Sequence, residues 1–544
     1  MKYISVAEMR NIDIQTDAVG GVSFAQLMEN AGRGIAEIIL DLPDSPNSED
    51  TILALVGPGN NGGDALVALE NLAAEGWDVT AYLFKRKMKD DALVERVKKA
   101  GGKIITAQND KDFEKLTALT TERSVFLDGL FGTGIKLPLR ENAADLLGAA
   151  SDALESVSWA PYIVAIDCPS GIDSDSGEAA PETIPADITV TMAAIKFGLL
   201  KLPAFELCGD IAVVDIGVTD KVPDWVSVSN FVVSEDQVAG LLPERPLSAH
   251  KGMFGTALIA AGSVNYTGAA LLAGKAAYRI GAGLVTLAIP SILHSSLAGQ
   301  FPETTWVLLP HKLGVVAADA ASILLENLER ATALLVGPGF GVEETTRDFI
   351  ENLLKLKGNV NKTSGGMGFI HGAEKKKDER KVELPPLVFD ADGLKLLAQI
   401  ENWHGLISEP AVLTPHPGEM AVMTGLSVAE IQADRLEIAK KYAQEWGHVV
   451  VLKGAFTVIA APNGETYTIP VASPSLARAG SGDVLAGLIV GLRAQGLNAV
   501  EAAVAGSWIH AQAGMLAGEM LGASASVLAG DILSAVPDIL ADLE

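Results

Sequence analysis

Short apolar runs alternate with stretches whose apolar positions recur at helical spacing, and each run ends in polar or glycine-rich residues. Thr51–Val56, Val79–Phe84, Ser124–Leu127 and Ile163–Ile166 read as buried strands, while Phe24–Leu42 and Asp64–Gly76 read as helices. A chain that alternates strand and helix pairs its strands in parallel through helical crossovers. The expected class is therefore α/β, beginning with a doubly wound, Rossmann-like sheet. Ligands in such sheets collect at the carboxyl ends of the strands. The turns after Val56, Leu127 and Ile166 all lie at such ends, so they can converge on one crevice.

The pattern breaks around Asp224–Lys251, where Leu242-Pro243-Glu244-Arg245-Pro246 interrupts it, and then restarts. Thr256–Ala260 and Leu284–Ile289 read as strands, Gly268–Ile280 as a helix, and the chain closes on a helix-rich end. At 544 residues the chain exceeds what one core usually supports. Two domains are expected, 1–227 and 228–544. Val56-Gly57-Pro58-Gly59 and Val336-Gly337-Pro338-Gly339 look alike, but their surroundings differ, so they read as similar turns and not a repeat. Residues 358–386, with the basic run Lys375-Lys376-Lys377 and few apolar positions, read as a surface loop or hairpin; a functional lid is the alternative.

The formal net charge of −27 disfavours nucleic-acid backbones and anionic membranes. An anionic substrate would need local amides or cations to overcome that field. Two cysteines, Cys168 and Cys208, are too few for a disulfide framework or a zinc site. With neither a basic-then-apolar leader at Met1–Arg10 nor an apolar run of spanning length, a cytoplasmic protein is expected.

Ala479-Gly480-Ser481-Gly482-Asp483 runs directly into the apolar Val484–Leu492. Glycines let backbone amides approach a ligand, and a helix start adds unpaired N–H donors that suit a phosphate. Asp483 would face whatever those amides hold, or it would simply cap the helix. In the first half, Gly57-Pro58-Gly59-Asn60-Asn61-Gly62-Gly63-Asp64 follows a strand and opens a helix. It matches neither the dinucleotide fingerprint nor a P-loop. A plain turn capped by Asp64 is the alternative to a binding loop. Asp128–Pro138 and Asp167–Asp173 are two further turns at strand ends. Oxygen donors from Asn61, Asp128 and Ser170 suit a hard cation. Cys168 has no activating histidine nearby in sequence and reads as a packed thiol.

Residues 57–64, 128–138 and 167–173, with Leu27-Met28-Glu29-Asn30-Ala31-Gly32 upstream, resemble the NAD(P)H-hydrate epimerases. The second half is similar to the ADP/ATP-dependent NAD(P)H-hydrate dehydratases, which have a ribokinase-like fold. That similarity rests on His250–Gly255, Tyr266–Ala270, Gly281–Thr286, Gly337–Gly341, Phe389–Leu394, Thr414–Glu419, Lys453–Thr457 and the GSGD string. The first resemblance implies that Asn60, Asn61, Gly62, Gly63, Asp64, Gly132, Thr133, Gly134, Ile135, Lys136, Leu137, Pro138 and Asp167 bind the hydrated cofactor. It implies potassium on Asn61, Asp128 and Ser170; Asp167 is the candidate acid/base. Ala65 departs from the glycine many members carry. The second resemblance implies hydrated-nicotinamide contacts from Ala269, Gly341, His416 and Asp483. Nucleotide contacts would come from Lys453, Gly454, Ala455, Phe456, Thr457 and Gly482. Asp390 and Asp392 either help hold magnesium or cap a turn.

Hydroxide is a poor leaving group and phosphate a good one. A site that phosphorylates the C6 hydroxyl can therefore eliminate phosphate and regenerate NAD(P)H, with Asp483 accepting the hydroxyl proton. The expected protein is a bifunctional repair enzyme acting on NADHX and NADPHX, with ADP (ATP as the variant), Mg2+ and K+, and a homo-oligomer. The rival is a ribokinase-class small-molecule kinase with an N-terminal binding or scaffold domain.

Overall fold

The computed structural model describes residues 1–42, 50–88, 91–157, 161–355 and 383–544. It divides into two compact units, Met1–Asn230 and Phe231–Glu544. Of the segment expected as a loop over 358–386, residues 358–382 lie outside the described residues. Pro386, at its end, accepts a backbone hydrogen bond from Leu334.

The first unit carries strands β1 (Thr51–Val56), β2 (Asp78–Leu83), β3 (Lys103–Thr106), β4 (Val125–Gly129), β5 (Tyr162–Ile166), β6 (Ile188–Met192) and β7 (Asp210–Val214). Their spatial order is β3-β2-β1-β4-β5-β6-β7, all parallel. Strand β1 is an unbroken apolar run because it is covered on both faces. Ile52, Ala54 and Val56 enter one core, while Leu53 and Leu55 enter the other. The order reverses between β1 and β4, which opens a crevice at their carboxyl ends. Helices α1 (Val6–Gln15), α2 (Phe24–Leu40) and α3 (Asn60–Ala74) belong to this unit. A Cβ at Gly32 would lie 2.4 Å from Val67, so glycine lets α2 press against α3.

Helix α3 begins four residues before the expected Asp64. Gly59 takes the extended cap position, and a Cβ at Gly62 would fall 2.1 Å from the Gly57 carbonyl. The turn therefore closes onto itself only because Gly62 is bare. Asp64 sits inside the helix and caps nothing.

The second unit holds β8 (Asn230–Val232), β9 (Thr256–Ala260), β10 (Leu284–Pro290), β11 (Thr305–Leu309), β12 (Ala333–Val336), β13 (Leu387–Phe389), β14 (Val412–Leu413), β15 (Val449–Leu452), β16 (Val458–Ala460) and β17 (Thr466–Thr468). The order is β8-β17-β16-β15-β14-β13-β12-β9-β10-β11. Strands β9 to β15 pair in parallel; β16 and β17 turn back antiparallel. Helices α4 (Thr267–Arg279), α5 (Pro417–Thr424), α6 (Arg435–Trp446), α7 (Ser481–Ala494), α8 (Ala499–Leu521) and α9 (Ala529–Leu543) belong to this unit. Helix α7 is buried from Val484 to Ala494, which explains why it is apolar on every side. A Cβ at Gly487 would lie 2.3 Å from the Ala273 carbonyl of α4. Two glycine-dependent contacts, this one and Gly491 against Ile280, fix where the start of α7 points.

Candidate active sites of the two units

The loops after β1, β4 and β5 meet. Asn61, in the first turn of α3, donates its amide to the carbonyls of Phe131 and Ile166, at 3.0 and 2.7 Å. Its Oδ1 faces Gly132, where a Cβ would intrude to 2.3 Å. The Asp128 carboxylate accepts the Ser170 hydroxyl at 2.6 Å, the Ser170 amide at 2.7 Å and the Leu130 amide at 3.2 Å. Burial pushes the Asp128 carboxyl upward despite these hydrogen bonds. No lysine or arginine pairs with it among the described residues. A buried carboxylate with oxygen neighbours and no protein cation matches a hard metal ion in charge and donor type.

Asp167 ends β5 with φ +65°, a conformation strained for a non-glycine residue. Its Oδ1 accepts Lys196 Nζ at 2.5 Å and Thr191 Oγ1 at 3.0 Å. Lys196 is 1% exposed. Gly134 lies beside Arg10, and Leu137 and Pro138 line a 500 Å³ cavity. Cys168 is buried; burial pushes its thiol well up and leaves it inert.

In the second unit the loops after β12, β13, β14 and β15 and the start of α7 share one end of the sheet. Gly480 supplies a left-handed cap at φ +88°, and Asp483 stands in the first turn of α7. Thus Asp483 is not the cap. Burial first, then Asp390, raises its carboxyl to about 7. Asp390 is 1% exposed and accepts Lys453 Nζ at 2.8 Å and Thr414 Oγ1 at 2.7 Å. Burial works to lower the Lys453 ammonium, but Asp390 and Glu419 outweigh it, so Lys453 stays charged. The Lys453 side chain is therefore held inside the site, and any nucleotide contact must share it with Asp390. A Cβ at Gly482 would reach 3.3 Å from Lys453 Nζ.

His416 caps α5: its Nδ1 accepts the amides of Gly418 and Glu419 at 2.9 and 3.3 Å. Burial lowers its pKa, so the ring is neutral with its proton on Nε2, 3.4 Å from Glu419 Oε1. Asp392 accepts the Gly341 amide at 2.9 Å and Lys395 at 3.0 Å. Its Oδ2 braces the Gly337–Gly341 loop while its Oδ1 holds Lys395. Asp390 keeps its Oδ2 without a hydrogen bond among the described residues. Ala269 is buried on α4, where it would meet a Cβ at Gly339 at 2.9 Å. Gly454 and Ala455 are exposed after β15, and Phe456 and Thr457 are half-buried.

Residues 257–538 match the NAD(P)H-hydrate dehydratase family, and residues 24–198 match the YjeF-related protein N-terminus family. Over 523 residues the chain is 36% identical to the bifunctional NAD(P)H-hydrate repair enzyme Nnr of Moorella thermoacetica, covering 94% of this chain and 92% of that one. The enzyme of the same name from Thermofilum pendens is 35% identical, with 94% and 91% covered. The chain belongs to the bifunctional NAD(P)H-hydrate repair enzymes. A solved ADP/ATP-dependent NAD(P)H-hydrate dehydratase of Bacillus subtilis, co-crystallized with ATP and Mg2+, is 29% identical with a TM-score of 0.47. It covers 58% of this chain and 99% of its own.

Several groups in the two repair-enzyme sites escape a reading of the sequence. Lys196 lies 29 residues from Asp167 in an unremarkable strand, and no local pattern marks it. Thr414 and Glu419 sit inside the quoted Thr414–Glu419 string, where their burial was the missing information. Arg435, on α6, donates to the carbonyls of Leu452 and Lys453 at 2.8 and 3.2 Å and so shapes the turn into Gly454. His510, on α8, meets Ser481 Oγ at 3.1 Å from within a helix that looks wholly structural.

Proposed function

We propose that residues 1–227 interconvert the R and S forms of hydrated NADH and NADPH at C6, and that residues 228–544 dehydrate the S form to NAD(P)H. The phosphoryl donor is ADP, giving AMP and phosphate. The observation that carries this reading is Asp483. It stands one turn into α7, over glycine-borne amides, with a carboxyl raised to about 7 by burial. A base poised there accepts the C6 hydroxyl proton near neutral pH as the hydroxyl oxygen takes the phosphoryl group. Loss of phosphate from C6 and of a proton from C5 then restores the dihydropyridine ring.

The amides of Gly480–Gly482 are directed toward charge on the transferring group, each such donor being worth about 3–4 kcal/mol. Lys453 adds a fixed positive charge, and the His416 ring, with Nε2 3.4 Å from Glu419 Oε1, would border the nicotinamide amide. Mg2+ arriving with the nucleotide takes one or two carboxylates beside its phosphates. Asp390 Oδ2 fits that need, and Asp392, used on both oxygens, does not. In the first unit Asn61, Asp128 and Ser170 would hold potassium, whose charge would neutralise Asp128 and sit beside the loop 132–138.

The test is Asp483→Asn supplied with the S epimer and ADP. No NADH should form while epimerisation of the R form continues. Turnover near wild type would show that Asp483 is not the base, and accumulation of a phosphorylated product would return the unit to the kinase class.

A further inference from the structure

Helix α1 precedes the matched family segment, which starts at residue 24. It is nevertheless anchored at the first site. Strand Tyr3–Ile4 pairs in parallel with Ile195–Lys196, Ile4 opposite Lys196, so α1 starts beside the lysine that holds Asp167. The Val6 amide binds Asp175 at 2.8 Å. Val6, Met9 and Ile12 bury one face of α1. Arg10 and Asp13, three residues apart, project on a common side. Arg10 comes within 3.8 Å of the Cβ position at Gly134, which places that side over the substrate loop 132–138.

Asp13 Oδ1 is buried with no hydrogen-bond partner. Asp64 is 7% exposed and also lacks one among the described residues. Both carboxyls act on each other and on the Asp167–Lys196 pair. Arg86, the other cation acting on Asp64, is tied to Asp91 at 2.8 Å and to the Gly57 and Gly59 carbonyls. The buried Asp64 and Asp167 and the half-buried Asp13 thus face one committed ammonium. They cannot all be ionised, so protons remain in the cluster. Lys196 is already paired with Asp167 at 2.5 Å. Asp64 is the most enclosed. Asp13 is half-buried, with one oxygen sealed in and the other on the open side.

We propose that Asp13 is a second catalytic residue of the first site, the acid that works against Asp167 as base. This rests on the epimerase reading above. Asp13 hands its proton to the C6 hydroxyl oxygen, and the C6–O bond breaks with its electron pair leaving in water. The N1 lone pair moves in to form N1=C6. Water then adds to the opposite face, the C=N pair returns to N1, and a carboxylate takes the proton released. Burial, the largest influence on Asp13, raises its carboxyl to about 6, which suits a group that must be protonated at the start. Two carboxyls pushed apart by their surroundings divide acid and base between them.

The experiment supplies the R epimer alone, without nucleotide, to the full-length protein and follows the S epimer by chromatography. Asp13→Asn should lower kcat by about a hundredfold with KM held within about twofold, and Asp13→Glu should restore part of it. Dehydration of the S epimer with ADP by the same preparations should be unchanged, which shows that the second unit is intact. A lowered Tm with kcat kept near wild type would mean a structural role and overturn the proposal. The wild-type rate should also fall as pH rises through about 6. A flat profile between about pH 5 and 9 overturns it even if the variant fails to fold. Wild type that yields no S epimer would instead remove the epimerase reading, and Asp13's role with it.

Discussion

Asp483 shows how one residue trades stability for chemistry. Its folded carboxyl titrates near 7, far above its ordinary value, because burial and Asp390 penalise the anion. The folded state therefore binds this proton more tightly than the unfolded chain does. Stability from this group is greatest below the ordinary carboxylate range and is lost as pH rises through about 7. Asp483→Asn should accordingly raise the Tm of the second unit at pH 8 relative to wild type while abolishing dehydration; an unchanged Tm would show that the carboxyl is not strained. Replacing Lys453 shifts stability in the opposite direction. Lys453→Met should cost about 3–5 kcal/mol by denaturant melting, because it leaves Asp390 buried without its cation. A loss under about 1 kcal/mol would mark the pair as a surface-type bridge.

Among elements, the strands were the most legible in the sequence, and for a physical reason. A strand covered on both faces must be apolar at nearly every position, so Thr51–Val56 and Thr256–Ala260 appear as runs that match the observed limits. Helix starts were less legible, because glycine contacts set them. Asp64 looked like a cap, yet the bare Gly62, packed on the Gly57 carbonyl, lets α3 begin at Asn60. The same turn yields a sharp prediction. Gly132→Ala drives a Cβ into Asn61 Oδ1. It should abolish epimerisation and its dependence on potassium, while dehydration by the same chain persists. Full epimerase activity in that variant would remove Asn61 from the ligand set. Lys196, Asp13 and His510 were invisible because each is a single residue on an otherwise ordinary element. Only the packing of distant segments gives them partners.

At the scale of the whole molecule, each unit has its own sheet and its own pair of cores. Two activities in one chain can be read as two sites with separate chemistry: proton transfer at C6 in the first, phosphoryl transfer and elimination in the second. The net charge of −27 opposes anionic cofactors except where backbone amides at the loop and helix starts offset it locally. The measurement that tests this account most directly is incubation of the full chain with mixed NADHX epimers, ADP, Mg2+ and K+, following return of the reduced ring's absorbance faster than spontaneous epimerisation. Wild type should restore the whole mixture to NADH, with AMP and phosphate in equal amounts, and Asp167→Ala should stop near half. No NADH with either ADP or ATP would contradict the account.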